Sequence, residues 1–351
     1  MFGKFMNNYY YGKSGKGDYT PEDLPKNRWQ LFLEMLRTRL SALCRLNLIY
    51  VLPWLPLMIV LFMSFMSMLT IGTPAEVLEA ATEGAAATTE AAVVVTGEVA
   101  FTEEQLAQQA SQLESIIWMT LILMIPCIAI TGPWTTGIAY VTRNWARDEH
   151  AFIWSDFKDA MKENWKQGLI VSSITSVVPL LAYMCWQFYG QMQAQSMLMV
   201  VPQMLTLMVA LMWSLAVTYA YPMIVTYKMN LRTVLRNSLL LAVGRLPMSV
   251  GIRLLHCVPL ALGVVLTFLI GSLIVPLVVF AYYLLIGFGL SRFITASYTN
   301  AQFDKFINSR IEGAKVNQGL SEEEEDDWED DEEEEERELK PWENGYTSQD
   351  K

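Results

Sequence analysis

From Gly168 to Tyr227 the sequence runs for 60 residues without a single Asp, Glu, Lys or Arg. A stretch of that length is longer than a buried core helix needs, and nothing in it offers a face to water, so it demands an apolar solvent. At about 20 residues per crossing, it supplies two bilayer spans, at 168–188 and 197–227. The same pattern recurs at 46–71, 116–141, 248–269 and 273–291. Hydrophobic residues make up 53% of the 351 and charged ones 17%, which excludes an ordinary soluble domain. The fold class expected is all-α: a polytopic membrane helical bundle of about six transmembrane helices with cytoplasmic amphipathic helices.

The charges are sorted along the chain. No basic residue lies between Arg45 and Arg143, whereas 1–45, 143–167 and 228–245 hold eight, five and four. Basic loops stay on the cytoplasmic side, so both termini are expected inside and the insertion 72–115 outside. The formal net charge of −11 comes from the end of the chain: residues 321–351 carry 17 acidic and 3 basic side chains, and the rest is at +3. The N-terminus shows no apolar core with a cleavage site, so the first span is expected to act as the targeting signal.

Three cytoplasmic stretches have helical amphipathic periodicity: 29–45, 154–165 and 230–243. In the second, Trp154, Phe157, Met161 and Trp165 form an apolar stripe opposite Asp156, Lys158, Asp159, Lys162 and Glu163, as in a helix lying in the headgroup plane. Each stretch precedes an outward and a returning span, which suggests three copies of one unit. Within the outside insertion, Thr102 and Gln105 form a capping box and Phe101 and Leu106 a staple, predicting a helix start at about Glu103. The expected organisation is a cytoplasmic segment 1–45, a six-span domain 46–291, a cytoplasmic linker helix 292–320 and a disordered acidic tail 321–351. All six spans contain proline, which kinks helices and opens cavities but is also common in membrane helices generally.

Ionisable groups inside a bilayer are costly and mark candidate sites. The candidate intramembrane polar site is Arg253 with His256, three residues apart, joined by the polar groups Asn47, Gln187 and Gln203. Arg253 and His256 are suited to holding an anion or relaying a proton; the plainer reading has Arg253 snorkelling and His256 satisfying a local hydrogen bond. The segment "GKSGKG" at 12–17 is not a phosphate loop, because Asn7 stands where that loop needs glycine. The four cysteines share no metal-like spacing, two histidines are few for a metal site, and no hydrolase or zinc-protease motif is present. No catalytic residue, metal or cofactor is expected, and the chain is not expected to be an enzyme. Residues 322–338 hold 15 acidic side chains, which reads either as a solubilising tail or as an arm docking a basic cytoplasmic protein.

The stretch "ITGPWTTGIAYVTRNWARDEHAFIWSDFKDAMKENWKQG" resembles the YesL-like family of uncharacterised membrane proteins of Gram-positive bacteria. The resemblance rests on Gly132-Pro133, Arg147-Asp148-Glu149, Phe152, Phe157 and Asn164 to Gln167, and extends to Asn47-Leu48, 230–243 and "FDKFI" at 303–307. It implies a compact helical protein of the bacterial plasma membrane, whose relatives' genes accompany carbohydrate-uptake systems. The insertion and the acidic tail depart from that pattern. The function expected is an accessory or adaptor protein of solute uptake, its partners being the bilayer and a membrane transport complex, with no nucleic acid. Its candidate cytoplasmic interaction face is Arg147, Asp148, Trp154, Phe157 and Trp165. The alternative is a small-solute transporter or channel, which requires a continuous polar path.

Overall fold

The computed structural model describes residues 25–71, 103–270 and 274–320. The segment "GKSGKG", the low-complexity stretch, the side chains of the capping box and staple, and the acidic tail lie outside the described residues. Among the described residues the structure has no strand, and six helices are long and apolar enough to cross a membrane: Arg28–Met68, Ala107–Ala129, Trp165–Met192, Met197–Thr226, Leu246–Thr267 and Ile274–Arg310. This is a multi-pass helical membrane protein.

The elements are α1 (Arg28–Val51), α2 (Leu55–Ile71), α3 (Glu103–Ala129), α4 (Thr131–Ala146), α5 (Ser155–Glu163), α6 (Trp165–Met192), α7 (Val200–Thr226), α8 (Leu231–Gly244), α9 (Leu246–Ile270), α10 (Ile274–Tyr282) and α11 (Phe288–Phe306). Helix α3 begins at the residue expected. Three boundaries differ from those predicted. The first amphipathic stretch is not a separate helix: α1 runs through it into the first span, because no Gly or Pro intervenes before Pro53, where a single 3-10 turn (Leu52–Trp54) bends the chain. The second span ends at Ala129 rather than 141, and the sixth runs on well past 291. The second and third amphipathic stretches do form their own helices, α5 and α8.

The break between α3 and α4 follows from Pro133, which brings no N–H to the carbonyl of Ala129 four residues earlier. In lipid that carbonyl needs a protein donor, and the Ser172 hydroxyl of α6 donates to it at 2.6 Å. The approach this requires is made possible by two glycines. A Cβ on Gly168 would stand 2.8 Å from the carbonyl oxygen of Gly132, and one on Gly132 would collide with Gly168 and Ser172. Small residues at a crossing let two backbones touch, as membrane helix pairs favour.

The chain divides into two compact units. The larger comprises residues 41–71, 103–143, 151–270 and 274–299 of the described chain. Its interior is rich in small hydroxyl residues, among them Thr135, Thr136, Ser172, Ser176, Ser249 and Thr295, while Phe62 and Leu277 are 58% and 66% exposed. Apolar side chains face outward because the surrounding medium is lipid. The inner hydroxyls bond carbonyls one turn back, as Thr135 does to Thr131 at 2.8 Å and Thr142 to Ile138 at 2.8 Å.

The smaller unit comprises residues 25–40, 144–150 and 300–320 of the described chain. Arg28 donates to the Asp304 carboxylate at 2.7 Å and to the Asn317 side-chain carbonyl at 2.6 Å, and Asn308 donates to Asp304 at 2.6 Å. Arg147 donates to Gln318 and lies 3.6 Å from Glu149. Asp148 holds a left-handed backbone with φ of 53°, a conformation its short polar side chain tolerates. Burial pushes its carboxyl above the ordinary range, against the pull of Arg39 at 3.9 Å.

The glycine crossing is testable against a control. Replacing Gly168 by alanine is expected to destabilise the protein by about 1–3 kcal/mol through overpacking, read as a lower midpoint of thermal unfolding in detergent. Gly251→Ala meets nothing within 4 Å and should leave that midpoint unchanged or slightly raised.

Candidate functional site

The five predicted intramembrane residues do not form one site. Asn47 is fully buried on α1, and its amide is used completely by the last span. Between α10 and α11, residues Tyr283–Gly287 form a π-turn, which widens the helix by one residue and loosens its ordinary carbonyl pairing. The Asn47 Nδ2 donates to the carbonyls of Tyr283 (3.0 Å) and Leu284 (2.8 Å), and its Oδ1 accepts the Gly289 N–H at 2.7 Å. Around this clasp Trp54 stacks on Phe288 at 5.3 Å, with Tyr50 and Tyr283 at its edges.

Gln203, buried on α7, donates to the Trp186 carbonyl at 3.2 Å and accepts from Gln193. Gln187 donates to the Tyr183 hydroxyl at 3.0 Å within α6. Both glutamines therefore serve local helix contacts.

Arg253 and His256 do come together, and Arg292, which the sequence reading placed outside the sixth span, joins them. Arg253 reaches across to α7, donating to the Ser214 carbonyl and to Thr218 Oγ1, the latter at 2.9 Å. His256 Nε2 lies 3.4 Å from Thr295 Oγ1 on α11. Arg292 lies between two tyrosine rings, its guanidinium carbon 5.8 Å from the centroids of both Tyr50 and Tyr221. Cations favour such faces, more so away from water. Its Nη2 donates to the Tyr50 hydroxyl at 3.2 Å, which pairs with Thr135 at 2.9 Å. A second hydroxyl group lies on the same helices, with Tyr219 bonding Ser249 and Tyr298 at 2.7 Å each.

Arg292 is within electrostatic range of Arg253 and His256. Among the described residues no ion pair includes either arginine. Placing one such charge at the centre of a bilayer costs about 2.5–3.5 kcal/mol on insertion scales. The arrangement is a positively charged, tyrosine-lined centre that no carboxylate among the described residues pairs with, suited to attracting an anion. Among the described residues no group of three His, Cys, Asp or Glu is placed to hold a metal ion.

Beside this centre a groove of about 160 Å³ runs between α9 and the last span, with His256, Pro259, Tyr283 and Ser291 in its walls.

The residues predicted for the cytoplasmic face are placed differently from one another. In the larger unit the expected stripe is broken, because α5 starts after Trp154 and ends before Trp165. Phe157 turns inward, its ring 6.0 Å from Trp134 and close against Gly137, so it packs the bundle rather than the headgroups. Trp154 and Trp165 remain 58% and 48% exposed. In the smaller unit Arg147 and Asp148 are engaged with Gln318, Glu149 and Arg39.

The signal for Arg292 was present in "SRFITASYTN", where small hydroxyl and alanine residues continue at helical spacing beyond the arginine. Tyr50, Tyr219 and Tyr221 carried no signal of their own, since tyrosine is ordinary at a membrane boundary.

Residues 113–186, from within α3 to within α6, match the model of a family described as "Protein of unknown function, DUF624". The matched segment contains Pro133, Ser172 and both glycines of the α4–α6 crossing. No curated protein and no solved structure matches the chain.

Asn47→Ala is expected to cost on the order of 2–4 kcal/mol, because it strips a buried donor from two carbonyls at once. A drop in thermal stability far larger than that of Gln187→Ala, whose partner lies in its own helix, is the outcome to look for.

Proposed function

We propose that this chain is a YesL-like accessory protein of a Gram-positive plasma membrane, with both termini cytoplasmic, acting without catalysis as an adaptor to a solute uptake complex, carbohydrate being the solute class. YesL proteins are members of the DUF624 family, which supports the assignment. The observation that carries the adaptor reading is the use made of the buried and half-buried amides. Asn47, Gln187 and Gln203 each bond their own or a neighbouring helix at separate places, which suits a scaffold. The exposed Trp154 and Trp165 are suited to the headgroup boundary. The acidic tail is the arm that would meet a basic surface on a partner.

A second reading, a small-solute transporter, draws support from one feature, the pairing of Arg253 and Arg292 without a carboxylate. The two readings part in a single experiment. Full-length protein and a version ending at Leu320 are purified in gentle detergent and their copurifying proteins identified. Uptake-permease subunits with the full chain, lost on truncation, are the expected result. Absence of any partner from both versions, together with solute flux in liposomes, would turn the assignment to transport.

A further inference from the structure

Within the smaller unit, the first half of α1 has two faces of different fate. Leu31 and Met35 are buried, whereas Trp29, Leu33 and Leu40 are 67%, 46% and 47% exposed. At about 100° per residue, Trp29, Phe32, Leu33, Leu36 and Leu40 share one arc of roughly 100°, and they cover about 17 Å of helix. The Trp29 and Phe32 rings stack at 5.5 Å. Exposed apolar residues gathered in one stripe mark an interaction surface. Lys26 and Arg37, both exposed, border the stripe on one side, and among the described residues no ion pair includes Arg37. In the described part of this unit eight basic residues stand against five acidic ones.

The acidic block starts beside this helix. The chain turns at Asn317 and Gly319, which both have positive φ, and Arg28 of α1 donates to Asn317 at 2.6 Å. A Cβ on Gly319 would stand 3.3 Å from Leu31 Cδ1, so Leu320 leaves the unit next to the buried face of α1. The stripe lies about halfway round the helix from there. Half the circumference of a helix of about 10 Å diameter is roughly 16 Å, whereas the eight residues that lead to Trp328 extend to about 27 Å. Trp328 is the one apolar residue between Glu322 and Glu338, with six acidic residues before it and nine after. An apolar stripe edged by cations and an indole set among carboxylates are complementary in both respects. An anionic bilayer surface would also suit a basic aromatic stripe, but it would hold the start of the acidic block against like charge.

We propose that residues 322–338 dock back onto α1 of the same chain, with Trp328 against Trp29, Phe32 and Leu33 and the flanking carboxylates meeting Lys26 and Arg37. The docked segment closes the arm on its own chain, and a partner's basic surface gains it only by displacing α1. The contact goes beyond the adaptor reading and needs no uptake partner, so its failure leaves the copurification experiment unaffected.

The test places photoreactive p-benzoylphenylalanine at the exposed position of Leu33 in full-length protein, reconstituted in nanodiscs containing phosphatidylglycerol and mixed with a mass-labelled copy of the chain. Mass spectrometry then identifies what the probe has captured. The expected product is a crosslink to residues 322–342 of the same chain, reduced roughly fivefold by Arg37→Glu, as losing an ion pair of about 1 kcal/mol implies, and also reduced in high salt. Trp328→Ser, which alters no residue of the described fold, should reduce it as much, while Arg236→Glu on α8 leaves it unchanged. Adducts to lipid alone would put the stripe on the bilayer, and adducts to the labelled copy would make it a contact between chains. Either result, or a tail crosslink that both Arg37→Glu and Trp328→Ser leave undiminished, would overturn the proposal.

Discussion

A backbone carbonyl released from its helix inside a bilayer has no water to turn to, and the architecture of the larger unit is arranged around that constraint. At two of the places where the chain departs from regular helix within its apolar regions, a side chain from another helix meets the released group. Ser172 answers the break before Pro133, and Asn47 answers the π-turn of the last span. Each repair requires close approach, which the Gly132–Gly168 contact allows in the first case and Gly289 in the second, where a Cβ would stand 3.2 Å from Asn47. Departures from helix thereby become the points that fix which helices are neighbours.

Much of this was legible in the residue order. Six apolar runs give six candidate spans, because hydropathy reports the solvent directly. The helix start at Glu103 was legible because capping is a local matter. What the order concealed were cases where distant groups decide. Arg292 reads as the end of a span, since a charge ordinarily marks the water boundary; the rings of Tyr50 and Tyr221, 242 and 71 positions away in number, are what permit the helix to continue. Phe157 and Trp154 look alike as members of one stripe, yet α4 takes the first and leaves the second exposed. Arg253 and His256 stood out because a charge within an apolar run is rare. Asn47 also stood out, but its role as a brace became visible only with the π-turn it holds.

The smaller unit follows a different logic, built from charge and amide contacts. Arg28 near the start of the described chain, and Asp304, Asn308 and Asn317 near its end, form one connected group. A partly buried ion pair reinforced by neutral hydrogen bonds holds a defined geometry better than an exposed one, whose contribution is slight. The acidic block therefore emanates from a segment anchored through Asn317 and Gln318.

The π-turn has a further effect on the helix that follows it. One residue of an α-helix turns the chain by about 100°, so the additional residue accommodated between Tyr283 and Gly287 sets the rotational phase of everything from Phe288 to Phe306. Without it, Arg292 would point about a quarter-turn away from the tyrosines, and Thr295 and Tyr298 would leave His256 and Tyr219 with it. The last span thus works as an indexed shaft: the half before the π-turn is free to present apolar residues to lipid, while a single added residue sets the angle at which the half after it presents a charge.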